Sequence, residues 1–248
     1  MQIPEVFSHK NDYSPRVQQV VGATVVHMDG HYIGAPDNSL MKYMVGQLVR
    51  HTGRVVSNLE LLCAQEDVRV PERSLVAVFI HDWGQGDVYI HEIDKRHEFR
   101  SARDAELLLT HLYGGARCKA ILNMVKRHTG LKINKNSPFS HRSFKAADYL
   151  DSVTEDGYRR KITKKLASMR QKGVKRPKSS NVVSMMHVQA DKKLSRCLRL
   201  DVATPYVRDV AANGREWLDG KDGREFIRSL RNKFYGCKRR KGIVYLKR

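Results

Sequence analysis

The longest uninterrupted apolar run in the chain is Leu75-Val76-Ala77-Val78-Phe79-Ile80, and His81-Asp82-Trp83-Gly84-Gln85-Gly86 follows at once. A run this short, rich in β-branched residues and stopped by glycines, predicts a strand. The return run Asp87-Val88-Tyr89-Ile90-His91-Glu92-Ile93 completes a predicted hairpin over Ser74 to Asp94. A second hairpin is expected from Val20 to Gly34 about the Asp29-Gly30 turn, because Asp-Gly between β-rich runs is a strong short-range signal. Asn38-Ser39 can cap a helix through Met41, Met44, Val45 and Leu48 to Gly53, and Leu59 to Gln65 reads as a short helix before Pro71. Ser101 can cap a further helix striped by Ala105, Leu108, Leu109 and Leu112 and closed at Gly114-Gly115, and another carries Ile121, Leu122 and Val125 to Gly130. Hairpin, helix, hairpin, helix, helix predicts an α+β module over residues 1–150.

Charge divides the chain. Residues 1–110 sum to −4 and residues 111–248 to +24, which together give the net +20. Such a basic half points to a polyanionic partner, and affinity for phosphate backbones follows from charge alone. With 41% apolar residues the chain can build a core. No apolar run is long enough to span a membrane, and the start Met1-Gln2-Ile3-Pro4-Glu5-Val6 has no export signal, so a cytoplasmic protein is expected. Cys63, Cys118, Cys197 and Cys237 are far apart and read as reduced thiols.

Two local patterns stand out in the first half. Arg50-His51-Thr52-Gly53 recurs as Arg127-His128-Thr129-Gly130, and both copies read as basic, glycine-stopped helix endings. A pairing of these histidines in phosphoester chemistry is set aside, since Thr follows each His directly. The stretch from His81 to His97 is the densest collection of chemical groups. A metal nuclease there would use Asp87, Glu92, Asp94 and Lys95, but Ile93 breaks the carboxylate-x-Lys step of a restriction-type core. His27 and His31 flank the expected turn and would need outside help to bind a metal. No phosphate-binding glycine loop or zinc-finger spacing is present, so neither cofactor nor metal is expected.

Residues 151–181 read as a basic helix and linker. Tyr158, Ile162, Leu166 and Met169 form one stripe within Val153 to Lys172, and Gly173 to Asn181 lacks any apolar period. Residues 182–248 carry a helix opened by Thr204-Pro205, a turn at Asp219 to Gly223, and a second helix from Arg224 to Tyr235 stopped by Gly236. At 100° per residue, Phe226, Ile227, Leu230 and Phe234 share one face of this helix, and Arg224, Arg228, Arg231 and Tyr235 the other, with Asn232 at its margin. Lys238-Arg239-Arg240-Lys241 then precede the strand-like Ile243-Val244-Tyr245-Leu246.

Helix, turn, helix and basic β-turn resemble, over about forty residues, the winged-helix variety of the helix-turn-helix family. That resemblance implies a small winged-helix-like module on double-stranded DNA. Arg224, Arg228, Arg231 and Asn232 would read bases. Lys161, Lys164, Lys165, Arg170, Lys172, Lys175, Arg176, Lys178, Tyr235, Lys238, Arg239, Arg240 and Lys241 would contact backbone. The α+β module would serve a partner protein, a homodimer or a secondary DNA surface. The expectation is a sequence-specific regulator of transcription or replication from a phage or mobile element, favoured over an enzyme. The rivals are a magnesium-dependent nuclease or nicking protein built on residues 81–97, and a non-selective RNA-binding or packaging protein.

Overall fold

The computed structural model describes residues 12–34, 39–85, 96–129 and 133–236, with side chains from residue 45 onward in the second segment. Among them lie nine helices and no strand: α1 Pro15–Gly34, α2 Ser39–Gln65, α3 Glu72–Ile80, α4 His97–Arg127, α5 Phe139–Asp151, α6 Glu155–Gln171, α7 Ser179–Leu198, α8 Thr204–Asp219 and α9 Lys221–Tyr235. The expected α+β fold is therefore replaced by an all-helical one. None of these helices is long and apolar enough to cross a membrane.

The apolar run that predicted a strand is α3. Every residue from Ser74 to Ile80 is buried, because α1, α2, α4 and α5 all pack around this one short helix. Burial on all sides erases the 3.6-residue alternation that marks a surface helix, and tertiary packing overrides the β preference of its valines. The other predicted hairpin is α1, whose buried Val17, Val20, Val21, Thr24 and Met28 follow helical spacing, with Asp29-Gly30 inside the helix. The two helices expected over 38–65 are the single helix α2, so the first Arg-His-Thr-Gly copy is mid-helix rather than an ending. Gly114, at φ 70° and ψ 177°, is non-helical and divides α4 into two helical segments that meet at a kink, as the Gly114-Gly115 stop predicts. The return strand of the second hairpin, with Asp87, Glu92, Asp94 and Lys95, lies outside the described residues, as does the basic β-turn from Lys238 to Lys241.

Three helices of the basic half follow their expected spans, with Tyr158, Ile162 and Leu166 buried on α6 and Gly236 stopping α9 at φ 71°, while α7 is a helix that the sequence reading leaves out. Among the described residues the basic half holds helices and no strand, so the expected winged-helix architecture gives way to a helical one there. Helices α6–α9 are fastened to the first five. The Arg142 guanidinium on α5 donates to the Leu200 and Asp201 carbonyls at 2.8 and 2.7 Å, and the Ala203 amide donates to Glu66 at the end of α2. A Cβ on Gly214 of α8 would stand 1.9 Å from the Val153 carbonyl oxygen, so only glycine permits this approach to the α5–α6 turn. Gly84 does the same at the end of α3, where an added Cβ would meet Arg100 Cβ at 2.5 Å and the amide donates to Ser101 Oγ at 2.9 Å. That close approach brings the start of α4 against the end of α3.

Candidate metal centre

His81 and Asp82 directly follow α3, where its buried barrel delivers them to the middle of the bundle. The His81 ring turns back, and its Nδ1 bonds the Val78 carbonyl at 2.7 Å. His128, capping the end of α4, repeats the arrangement three residues from Val125 at 2.6 Å. Since a carbonyl only accepts, Nδ1 carries the proton in both rings and Nε2 is left with a lone pair. His51 in α2 is held by a carboxylate instead, Asp151 Oδ2 at 2.8 Å from Nδ1. Asp148 sits three residues before Asp151 on α5, on the same helix face. His97 opens α4 beside the Gly84 contact.

The Nε2 atoms converge. His51 Nε2 lies 3.3 Å from His81 Nε2, 3.4 Å from Asp82 Oδ2 and 3.4 Å from Asp148 Oδ1. Asp82 turns its other oxygen the opposite way, with Oδ1 3.1 Å from His97 Nε2 and 3.9 Å from His128 Nε2, which are 3.2 Å apart. Two such lone pairs held face to face repel unless a proton or a cation lies between them. His51, His81 and Asp148 offer ligand atoms within 4.8 Å of one another, as do His81, Asp82 and His128, and with His97 beside them these residues would suit divalent cations. Imidazole and carboxylate without thiolate suits the borderline and hard divalent metals. The Nδ1 partners are the outer contacts that fix ligand orientation in metal sites.

Electrostatics agree with a cation-binding arrangement. Burial opposes the charge on Asp82, but His81, then His97 and His51, outweigh it and hold its carboxyl well below the usual range. Burial likewise opposes charge on Asp148 and Asp151, and the facing His51 outweighs it in both, joined by Lys193 at Asp148 and by Arg160 and Arg54 at Asp151. Burial, with His81 beside it, pushes His128 down to about 3, so this ring is neutral at neutral pH. His51 goes the other way: burial and Arg160 oppose its charge, yet Asp151 and Asp148 prevail and raise its pKa. Asp151 is fully buried and accepts from Arg54 Nε at 2.5 Å and Arg160 Nη2 at 3.1 Å.

Of the residues expected to act, the structure brings none of the base-reading set to this centre. Arg231 donates to the Pro177 carbonyl at 2.7 Å and to Ser179 Oγ at 2.5 Å, and Asn232 accepts from Arg176 at 2.5 Å, so these side chains tie α9 to the α6–α7 connection. Arg170 lies over the Tyr235 ring at 6.0 Å. Arg224, Arg228, Lys172, Lys175 and Lys178 are exposed. Lys161 and Lys164 do border the centre, through charge coupling to Asp151 and Asp148 and to Asp82 respectively. His27 and His31 share a face of α1 near the Trp83 carbonyl, at 3.3 and 3.1 Å.

The centre escapes a reading of the sequence because its ligands lie between 15 and 31 residues apart, apart from the adjacent His81-Asp82. One signal does stand in the sequence: the repeated Arg-His-Thr-Gly contributes His51 and His128, both ligands. Comparison with known proteins points the same way. No curated protein and no solved structure matches the chain. The stretch from residue 48 to residue 153, which spans all six ligands and Asp151 but leaves out α6–α9, matches the family model of the HD domain.

Proposed function

We propose that the protein is a metal-dependent phosphohydrolase whose centre is His51, His81, Asp82, His97, His128 and Asp148. The observation that carries this reading is the convergence of four Nε2 atoms on two oppositely turned oxygens of one carboxylate. The HD likeness supports it, since the HD domain is a metal-dependent phosphohydrolase domain. It replaces the DNA-binding regulator expected from the basic half, for which the winged-helix resemblance was the ground. Divalent cations in such a site stabilise charge on a phosphoryl oxygen and lower the pKa of water.

The chain's own part is positioning and exclusion of solvent. Val78, Val125 and Asp151 lock three rings with Nε2 inward, so little reorganisation is needed when a cation arrives. His51, His81 and Asp82 side chains are 2%, 1% and 8% exposed, whereas His97 and Asp148 reach 14% and 15%. A phosphate ester therefore approaches from the side of His97 and Asp148. Hydrolysis of bis(p-nitrophenyl) phosphate with added manganese or magnesium tests the reading. Turnover that disappears with EDTA and in Asp82→Ala is expected. Turnover that persists in Asp82→Ala, or none with any divalent cation bound, refutes it.

A further inference from the structure

Among the described residues, the cations around this centre outnumber its carboxylates Asp82, Asp148 and Asp151. Arg54 and Arg160 already pair with Asp151. Yet Lys161 also feels Asp151 and Asp148, Lys193 feels Asp148 and Asp82, and Lys164 feels Asp82. Among the described residues neither Lys161 nor Lys193 has a carboxylate in ion-pair contact: Lys161 donates to the Ser152 carbonyl at 3.1 Å, and the Lys193 ammonium lies 4.5 Å over the Tyr149 ring. These groups repel one another, and divalent cations would add to the surplus. Such a concentration of positive charge is costly unless an anion belongs there.

Helix α6 shows how far that anion extends. At 100° per residue its cations separate into two sets. Arg159 and Arg170 fall on the packed side, where Arg159 lies 4.7 Å from both the Trp217 and the Phe226 ring centroids and Arg170 over Tyr235. Arg160, Lys161, Lys164, Lys165 and Lys172 occupy an arc of about 140° that runs from the side opposite the buried Ile162 round to the edge of the buried Tyr158. This row begins at the metal centre, where Arg160 touches Asp151, and ends at the C-cap Lys172. Twelve residues of helix span roughly 18 Å, long enough to meet several successive phosphates of a strand. A free nucleotide would engage only the first turn.

We propose that the outer face of α6, with Lys193 of α7, is the binding track for the phosphate backbone of a nucleic-acid strand whose scissile phosphate lies at the centre. This substrate assignment rests on the phosphohydrolase reading, and the track lies wholly outside the HD match. It absorbs four of the cations the sequence had marked for backbone contact: Lys161, Lys164, Lys165 and Lys172.

The test is anisotropy of a labelled single-stranded oligonucleotide of about twelve nucleotides on the full chain in EDTA, where metal chemistry plays no part. Two double variants are compared, Lys164→Ala with Lys193→Ala near the centre, and Lys165→Ala with Lys172→Ala at the far end. Each pair is expected to weaken binding about tenfold, and to flatten the slope of log affinity against log salt by about 0.7 for each phosphate no longer neutralised. Circular dichroism checks that helix content is kept, and the arginine counterparts should restore most of the affinity. Unchanged affinity in both pairs, or ATP displacing the oligonucleotide at concentrations where it binds equally well to the far-end pair, overturns the track. Bis(p-nitrophenyl) phosphate hydrolysis in parallel separates the two ideas: its absence from a chain that binds the strand as described sinks only the phosphohydrolase reading.

Discussion

Asp151 is not itself one of the six residues of the centre, yet its replacement by Asn should disable it. Its Oδ2 accepts from His51 Nδ1 at 2.8 Å and Arg160 at 3.1 Å, and its Oδ1 accepts from Arg54 at 2.5 Å. An amide has one accepting oxygen. If that oxygen faces His51 and Arg160, the NH2 points at the Arg54 guanidinium. If it faces Arg54, the NH2 opposes His51 Nδ1–H, and the ring relieves the clash by moving its proton to Nε2, which blocks that ligand. Loss of such an orienting partner costs about 10–100-fold in metal affinity. Two charge-assisted hydrogen bonds also weaken, at about 1.5–3 kcal/mol each, and partial retention by the amide leaves a net loss of about 3 kcal/mol. For a chain of this size that is roughly 6–12 °C in Tm. The sign with pH follows from the lowered carboxyl pKa: its stabilisation is complete above the ordinary carboxylate range near pH 4 and is lost as pH falls through the native value. Parent and Asp151→Asn melting temperatures should therefore converge in acid. Isothermal titration with manganese and thermal melts from pH 7 down to 3 make the comparison. Parent-like metal affinity in the variant, or a stability gap that persists unchanged in acid, would refute the argument.

Burial, then the nearby Lys193 and Arg160, pushes the Lys161 amine down to about 7. Its protonated form attracts phosphate, so oligonucleotide affinity should fall as pH rises from 6 to 9, and anisotropy on Lys161→Arg should show that dependence flattened. Gly214→Ala drives a Cβ into the Val153 carbonyl and should cost roughly 3 kcal/mol, read as a lower urea midpoint with an unchanged m-value.

How far the sequence discloses this molecule depends on whether each segment has a wet side. Helices α6 and α9 each have one, and their buried stripes Tyr158, Ile162, Leu166 and Ile227 stand at helical spacing against cations. Helix α3 has none, so seven successive buried residues look like a strand. In α1 the helical spacing is present, but valine content and an Asp-Gly pair outweigh it. The centre is half visible. His81-Asp82 lies inside the stretch recognisable as chemically dense, but the carboxylates nearest in sequence are Asp87, Glu92 and Asp94, and the one that completes the site stands on α5. What ties His51, His128 and Asp148 to that stretch is helix packing alone, through distances of 3.3 to 3.9 Å between residues at least 20 apart. The shared device Val-x-x-His, at Val78 to His81 and Val125 to His128, is local and legible in the sequence.

The complete burial of α3 also sets the order in which the molecule assembles. Nine residues are too few to hold a helix in water unaided, and nothing from Ser74 to Ile80 faces solvent once folded. It gains its structure only as α1, α2, α4 and α5 close on it, contacts that span most of the first 151 residues and are slow to find. His81 and Asp82 ride on that last closure, so an unfolded or half-folded chain offers metal only scattered single ligands. A cation bound as proposed would then stabilise only the finished bundle, by about 2.7 kcal/mol at a hundredfold excess over Kd. A cell short of metal would hold a chain that folds correctly but unfolds sooner.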